Sequence, residues 1–270
     1  MQHLLSIAGS DSSGGAGIQA DLKTFSALGT YGMTAITALT AQNTQGVVSI
    51  WLTSSEMLTD QIDAVFSDIR VDAVKIGMLG NRDLVLATAA ALRRWKPKIV
   101  VLDPVMVSKS GHHLLAPDAV QALRTELLPL ASVVTPNIPE AELLCGQTPG
   151  SLGDRESLES AARLLLSQGS QAVILKGGHR EGPSDDILMT ATGTVTVAGA
   201  RLDARHTHGT GCSLSSALAV FLSQGLDLES ALRSAKSWVT QGIAEGIPLG
   251  HGIGPIHHFH EWFDLKGIRR

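Results

Sequence analysis

Cysteine and tyrosine are scarce in this 270-residue chain, which has two cysteines, Cys145 and Cys212, and one tyrosine. Two thiols cannot build the disulfide framework of a small secreted domain, and a reducing compartment keeps both free. Clustered charge is missing too. The 21 basic and 25 acidic residues are scattered and leave a net charge of −4, so no basic stripe offers a footprint for a polyanion and no nucleic-acid partner is expected. No apolar run approaches a membrane span, and the opening MQHLLSIAG has neither a basic flank nor a long apolar core. The expectation is a cytoplasmic protein with no signal peptide and no membrane contact. Internal repeats, low-complexity tracts and linkers longer than a loop are also absent, which predicts one domain over residues 1–270.

Several motifs are missing or incomplete. There is no G-x-x-x-x-G-K-[ST] loop for nucleotide phosphates and no H-E-x-x-H metal spacing. Gly15, Gly17 and Ala20 formally fit G-x-G-x-x-A, but a dinucleotide site wants an acidic residue about 20 positions on, and Leu28 to Val47 contains none. A nicotinamide site is therefore disfavoured. The histidines of His257-His258-Phe259-His260, and the pair His206 and His208, lack zinc-ligand spacing as well.

What is present is an alternation of short β-branched runs with longer amphipathic ones, the pattern of βα units around a mostly parallel sheet. Strands are expected at 4–8, 35–40, 47–51, 73–77, 99–103, 133–135, 172–176, 187–190 and 194–198. Helices are expected at 16–28, 54–68, 83–95, 117–127, 139–145, 155–168, 212–224 and 228–244, with Ser55 and Asp154 as N-caps. The last two strands form a hairpin around Gly193, and Phe259, Trp262 and Phe263 sit on a final packing helix.

In an open α/β sheet, ligands collect where strands end at their carboxyl edges. There the chain places Gly9-Ser10-Asp11, Gln42-Asn43, Gly77-Met78, Asp103-Pro104, Thr135-Pro136-Asn137 and Lys176-Gly177-Gly178. The stretch HTHGTGCSLS, residues 206–215, runs into an apolar helix. Gly209 and Gly211 let the backbone approach a ligand closely, and the first amides of the helix, from Gly209 and Thr210 to Cys212, are aimed at one point, which suits an anion. A thiol at a helix start is commonly acidified, so Cys212 is a candidate base toward a hydroxyl, with a nearby phosphate acting in the opposite direction. Asp103 and Glu140 can hold Mg²⁺ through water, and Lys176 can reach a phosphate as a point charge. Each also has a plain structural use in capping or packing. Two of those strand ends carry Gln42, whose planar amide offers an acceptor and a donor pair, and Met78, which is flexible and polarizable.

Taken in order, AGSDSSGGAGIQADLKTFSALG (8–29), ALTAQNTQGV (38–47), KIGMLG (75–80), VLDPVMVSKSG (101–111), TPNIPEAELL (135–144), LKGGH (175–179), THGTGCSLSSALA (207–219) and GHGIGP (250–255) resemble the hydroxymethylpyrimidine and phosphomethylpyrimidine kinases of thiamine biosynthesis, within the ribokinase-like superfamily. The resemblance implies a three-layer α/β sandwich whose central, mostly parallel sheet is flanked by helices. It implies ATP- and Mg²⁺-dependent phosphorylation of 4-amino-5-hydroxymethyl-2-methylpyrimidine and then of its monophosphate, by a homodimer. It also assigns roles: Gly209, Thr210, Gly211 and Cys212 as anion hole and catalytic position; Gln42, Asp21, Gly9, Met78 and Val105 in the substrate pocket, with Val105 to Gly111 closing over it. Lys176, Asn137, Asp103 and Glu140 fall on the nucleotide and magnesium side. Pyridoxal kinase, a dual-specificity vitamer kinase and a non-catalytic vitamer-binding regulator remain the alternatives.

Overall fold

The computed structural model describes residues 1–107, 114–179 and 184–269. Among these residues nine strands form one sheet: β1 (His3–Asp11), β2 (Tyr31–Asn43), β3 (Gly46–Leu52), β4 (Ala73–Ile76), β5 (Val100–Leu102), β6 (Val133–Val134), β7 (Ala172–Leu175), β8 (Asp186–Thr190) and β9 (Gly193–Val197). Their order is β3-β2-β1-β4-β5-β6-β7-β8-β9, parallel from β2 to β7 and antiparallel at both edges. The hairpin expected around Gly193 is β8–β9, where Thr190 pairs with Gly193.

The helices are α1 (Gly17–Ala27), α2 (Ser55–Asp68), α3 (Arg82–Trp95), α4 (Pro117–Ala122), α5 (Ile138–Cys145), α6 (Arg155–Ser167), α7 (Thr210–Ser223) and α8 (Leu228–Ala244). One sheet face packs on α2 to α6 and the other on α1, α7 and α8, which makes the three-layer sandwich. Alternation along the buried strands sorts the side chains. Val74 and Ile76 face the first layer, whereas Ala73 faces the second, so Lys75 between Val74 and Ile76 must point at α1 and α7.

Three local expectations change. Ser54, not Ser55, caps α2, because Ser54 has extended backbone and its side chain accepts from the Met57 amide, while Ser55 is already helical. The helix expected over 117–127 stays α-helical only to Ala122 and continues through wider turns over Leu123–Leu127. The aromatic C-terminal segment makes turns rather than a helix. Phe259 stacks on Phe263, and the Trp262 indole donates to the Ala27 carbonyl at 3.0 Å, so tertiary contacts fix it. Of the expected closing loop Val105 to Gly111, residues 108–111 lie outside the described residues.

Candidate active site

Along the carboxyl edge of the parallel strands runs a cavity of about 780 Å³. Two irregularities shape one end. The β1–β2 register shifts between Ala8 and Ser10, and the β2–β3 register shifts between Ala41 and Gln42. Such bulges re-aim side chains, and here they turn Gly9 and Gln42 into the cavity, together with Met78 and Val105. A side chain at Gly9 would meet Met78 Cε at 2.9 Å, so the glycine leaves the space that the methionine fills. Behind Gln42 stands His208, whose Nε2 lies 2.9 Å from Asp11 Oδ2. Burial pushes the Asp11 carboxyl up, but hydrogen bonds from His208 and Ser13 outweigh that and hold it below its ordinary range.

The other end is built on the start of α7. Gly209 is its N-cap at φ +81°, and a Cβ there would lie 1.9 Å from the Gly15 carbonyl, so the turn needs glycine. The first turn of α7, from Thr210 to Cys212, lines the cavity, and its N–H groups are those that a helix start leaves without intrahelical partners. Facing Gly211 are Lys176 and Asp103, paired at 2.8 Å, with Glu140 Oε2 at 3.9 Å from the same ammonium. Burial acts against all three charges. For Asp103 the Lys176 and Lys75 ammonium groups win and keep the carboxyl low; for Lys176 the two carboxylates win and keep the ammonium high. For Glu140 burial and the Asp103 charge win, and its carboxyl is pushed up to about 7. Asn137 and Glu140 also form the capping box of α5, the asparagine oxygen accepting from the Glu140 amide at 2.9 Å and the glutamate from the Asn137 amide at 2.8 Å.

Two placements differ from expectation. Asp21 does not line the cavity; it is fully buried beneath it and paired with Lys75 at 2.8 Å. The α1 residues Ile18, Asp21, Thr24 and Phe25 share the inward stripe, and Ser6 and Ser216 both donate to the carboxylate. Cys212 is not acidified. Burial pushes its thiol up to about 11 with help from the Asp21 and Asp103 charges; the Lys75 ammonium and the Gly17 amide act the other way and lose. The helix-start effect is worth about 0.3 to 1 kcal/mol, too little to offset burial.

Lys75 and His208 carry no site role in the sequence expectations, and Asp11 enters them only as a strand-end position. Lys75 had a signal: a lysine inside the apolar run AVKI needs a buried partner. The C-terminal histidines serve packing: His258 Nε2 meets Ser213 Oγ at 2.9 Å, and His260 Nε2 meets the Trp238 carbonyl at 3.1 Å.

With this geometry in view, a family model described as Phosphomethylpyrimidine kinase matches residues 11–257. The hydroxymethylpyrimidine/phosphomethylpyrimidine kinase of Escherichia coli (strain K12) is 49% identical over 262 residues, 96% of this chain and 98% of that protein. The crystal structure of phosphomethylpyrimidine kinase from Clostridium difficile 630 superposes with a TM-score of 0.79 at 43% identity, covering 90% of this chain and 100% of that one. An ADP complex of Bacillus subtilis pyridoxal kinase gives a TM-score of 0.88 at 37% identity over 96% of this chain and 97% of that one. A match over nearly the whole length settles the kinship: the chain belongs to the phosphomethylpyrimidine kinase family.

Proposed function

We propose that this chain is a bifunctional kinase that phosphorylates 4-amino-5-hydroxymethyl-2-methylpyrimidine and then its monophosphate, giving the pyrophosphate used in thiamine diphosphate biosynthesis, with ATP as donor. The observation that carries this is one cavity joining the Gln42–Met78 pocket to the Gly209–Cys212 turn and the Lys176–Asp103 pair. A ring held at one end can present its hydroxymethyl group to a phosphate held at the other.

Phosphoryl transfer leaves little covalent chemistry to the protein, so the work is positioning and charge. The amides at the start of α7 and the Lys176 ammonium face the place where a transferring phosphoryl would build charge. Gln42 and Met78 hold the ring, and Lys75 with Asp21 fixes the floor beneath Cys212.

Magnesium fits the residues present. Among the described residues no cluster of three or more His, Cys, Asp or Glu side chains could hold a metal alone, whereas Asp103 and Glu140 flank Lys176 on the phosphate side. One or two carboxylates completed by substrate phosphates are what Mg²⁺ takes, and Asp103 and Glu140 would hold it. When bound, it neutralises charge on the nucleotide phosphates.

Pyridoxal kinase is the second reading, favoured by the superposition on the Bacillus subtilis enzyme. The purified chain, given Mg-ATP with either the pyrimidine or pyridoxal and followed by mass spectrometry, separates the two. A pyrimidine pyrophosphate formed through its monophosphate is expected. Pyridoxal phosphate alone, or no product, refutes the assignment.

A further inference from the structure

Gln42 has a side-chain amide whose two ends must be told apart, because an amine-bearing pyrimidine reads them in order. The amide is placed with Nε2 at 3.2 Å from His208 Nε2 and Oε1 at 3.2 Å from Thr40 Oγ1. Both neighbours are already committed. Asp11 is a carboxylate whose Oδ2 also accepts from the Gly15 and Ala16 amides, at 3.1 and 2.8 Å, while Oδ1 accepts from Ser13; only a protonated Nε2 on His208 satisfies the remaining 2.9 Å contact. That N–H would face the amide N–H of Gln42, donor against donor. Thr40 has a single hydroxyl proton, and the shorter of its contacts, 2.9 Å, gives it to the Ser10 carbonyl. Its oxygen would then face the Gln42 oxygen, acceptor against acceptor. One half-turn of the amide removes both conflicts: its nitrogen then donates to Thr40, and its oxygen faces the His208 N–H, which it shares with Asp11 as a three-centre contact.

We propose that His208, held by Asp11, is a specificity-determining positioning residue that locks the Gln42 amide in this orientation and so fixes the order of acceptor and donor presented to the ring. This rests on the reading that Gln42 meets the pyrimidine. In the locked amide the second lone pair of the oxygen is open to an exocyclic N–H, and the second N–H is open to the adjacent ring nitrogen. A 4-aminopyrimidine presents that pair. Its 4-oxo counterpart, with a carbonyl at C4 and N–H in the ring, presents the reverse order and pairs only with the turned amide. The His208 ring lies against Gly15, where a Cβ would come within 2.3 Å of it.

The test compares kcat/KM for 4-amino-5-hydroxymethyl-2-methylpyrimidine with that for 5-hydroxymethyl-2-methylpyrimidin-4-one, using Mg-ATP and ADP release. The unaltered enzyme should prefer the amino compound by at least about 100-fold. His208→Leu should lower that preference by about 10-fold or more, mainly through KM and with kcat for the amino compound nearly kept, because the amide is then free to turn. His208→Gln, whose amide N–H reaches toward the Nε2 position, should restore most of it. Thr40→Val removes the other hold without touching the ring packing and should lower the preference by about 3- to 10-fold. A preference unchanged in Thr40→Val and in whichever His208 variant folds overturns the proposal, as does an unaltered enzyme that takes both compounds equally. Gln42→Ala separates the layers: if it leaves KM for the amino compound unchanged, the pocket reading falls and this one with it. If Gln42→Ala raises KM while the His208 and Thr40 variants keep the preference, only the locking role falls.

Discussion

Alkylation of the free enzyme across a range of pH reports directly on how Cys212 is held. A thiol pushed up to about 11 is only about 0.03% thiolate at pH 7.5, against about 9% for a free cysteine ionising near 8.5. The reactive fraction is therefore lower by roughly 300-fold, offset about 10- to 18-fold because a more basic thiolate is the better nucleophile. The net expectation is labelling by iodoacetamide roughly 15- to 30-fold slower than free cysteine at pH 7.5. The pH profile is the sharper readout, since access to the cavity scales the rate at every pH alike. Peptide mass spectrometry separates Cys212 from Cys145, and the Cys212 rate should climb about tenfold per pH unit from pH 7 to pH 10. A thiol acidified by its helix start to about 6 or 7 would level off by pH 8. A plateau at or below pH 8.5 refutes the claim that burial outweighs the helix start and Lys75.

That outcome bears on the first chemical step. A thiol that keeps its proton at neutral pH is no ready base for an alcohol, so any base role of Cys212 draws on a rare thiolate and makes turnover rise with pH. The second step has a phosphate oxygen as nucleophile, which is anionic already and needs no base.

Cys212→Ala is expected to slow the first phosphorylation by about 10²-fold or more and the second far less, as measured with each pyrimidine substrate separately; equal losses would mean that Cys212 shapes the anion site and moves no proton. Lys75→Met strands Asp21 as a buried charge and should cost about 3 to 5 kcal/mol in urea unfolding, with Asp21→Leu in the same chain recovering much of it. Burial pulls the imidazole of His258 down to about 3, so between pH 6.5 and 3 the unfolded chain binds the proton that the folded one refuses. Stability from this group is full above pH 6.5 and is lost as pH falls toward 3, by on the order of 5 kcal/mol, and His258→Asn should flatten that acid limb in urea titrations. Val48 and Trp51, exposed at 80% and 77% on the edge strand β3, are the surface we propose for a homodimer; light scattering should give a dimer for the unaltered chain and a monomer for Trp51→Glu, and a dimer that persists in the variant refutes this surface.

The strands and helices were legible because their signals are local. A β-branched run such as AVIL in β7 and the inward stripe of Leu158, Ala161, Ala162 and Leu165 in α6 carry their own periods. The strand-end rule then brought Gly9, Gln42, Asp103 and Lys176 to one edge before any distance was known. The bulges that aim Gly9 and Gln42 left no mark, since a register shift belongs to two strands at once. Asp21 was misplaced for a related reason. Its position on α1 shows that it faces inward, but whether inward means cavity or core depends on Lys75, 54 residues away on the opposite side of the contact. Cys212 shows the same limit in electrostatic form. Its helix start could be read from Gly-Thr-Gly, yet the sign of its pKa shift is decided by how deeply α7 packs and by which charges the neighbouring strands bring beneath it. Depth is a property of the assembled layers, so a helix start read from sequence identifies where an anion can bind without telling whether the residue there will be one.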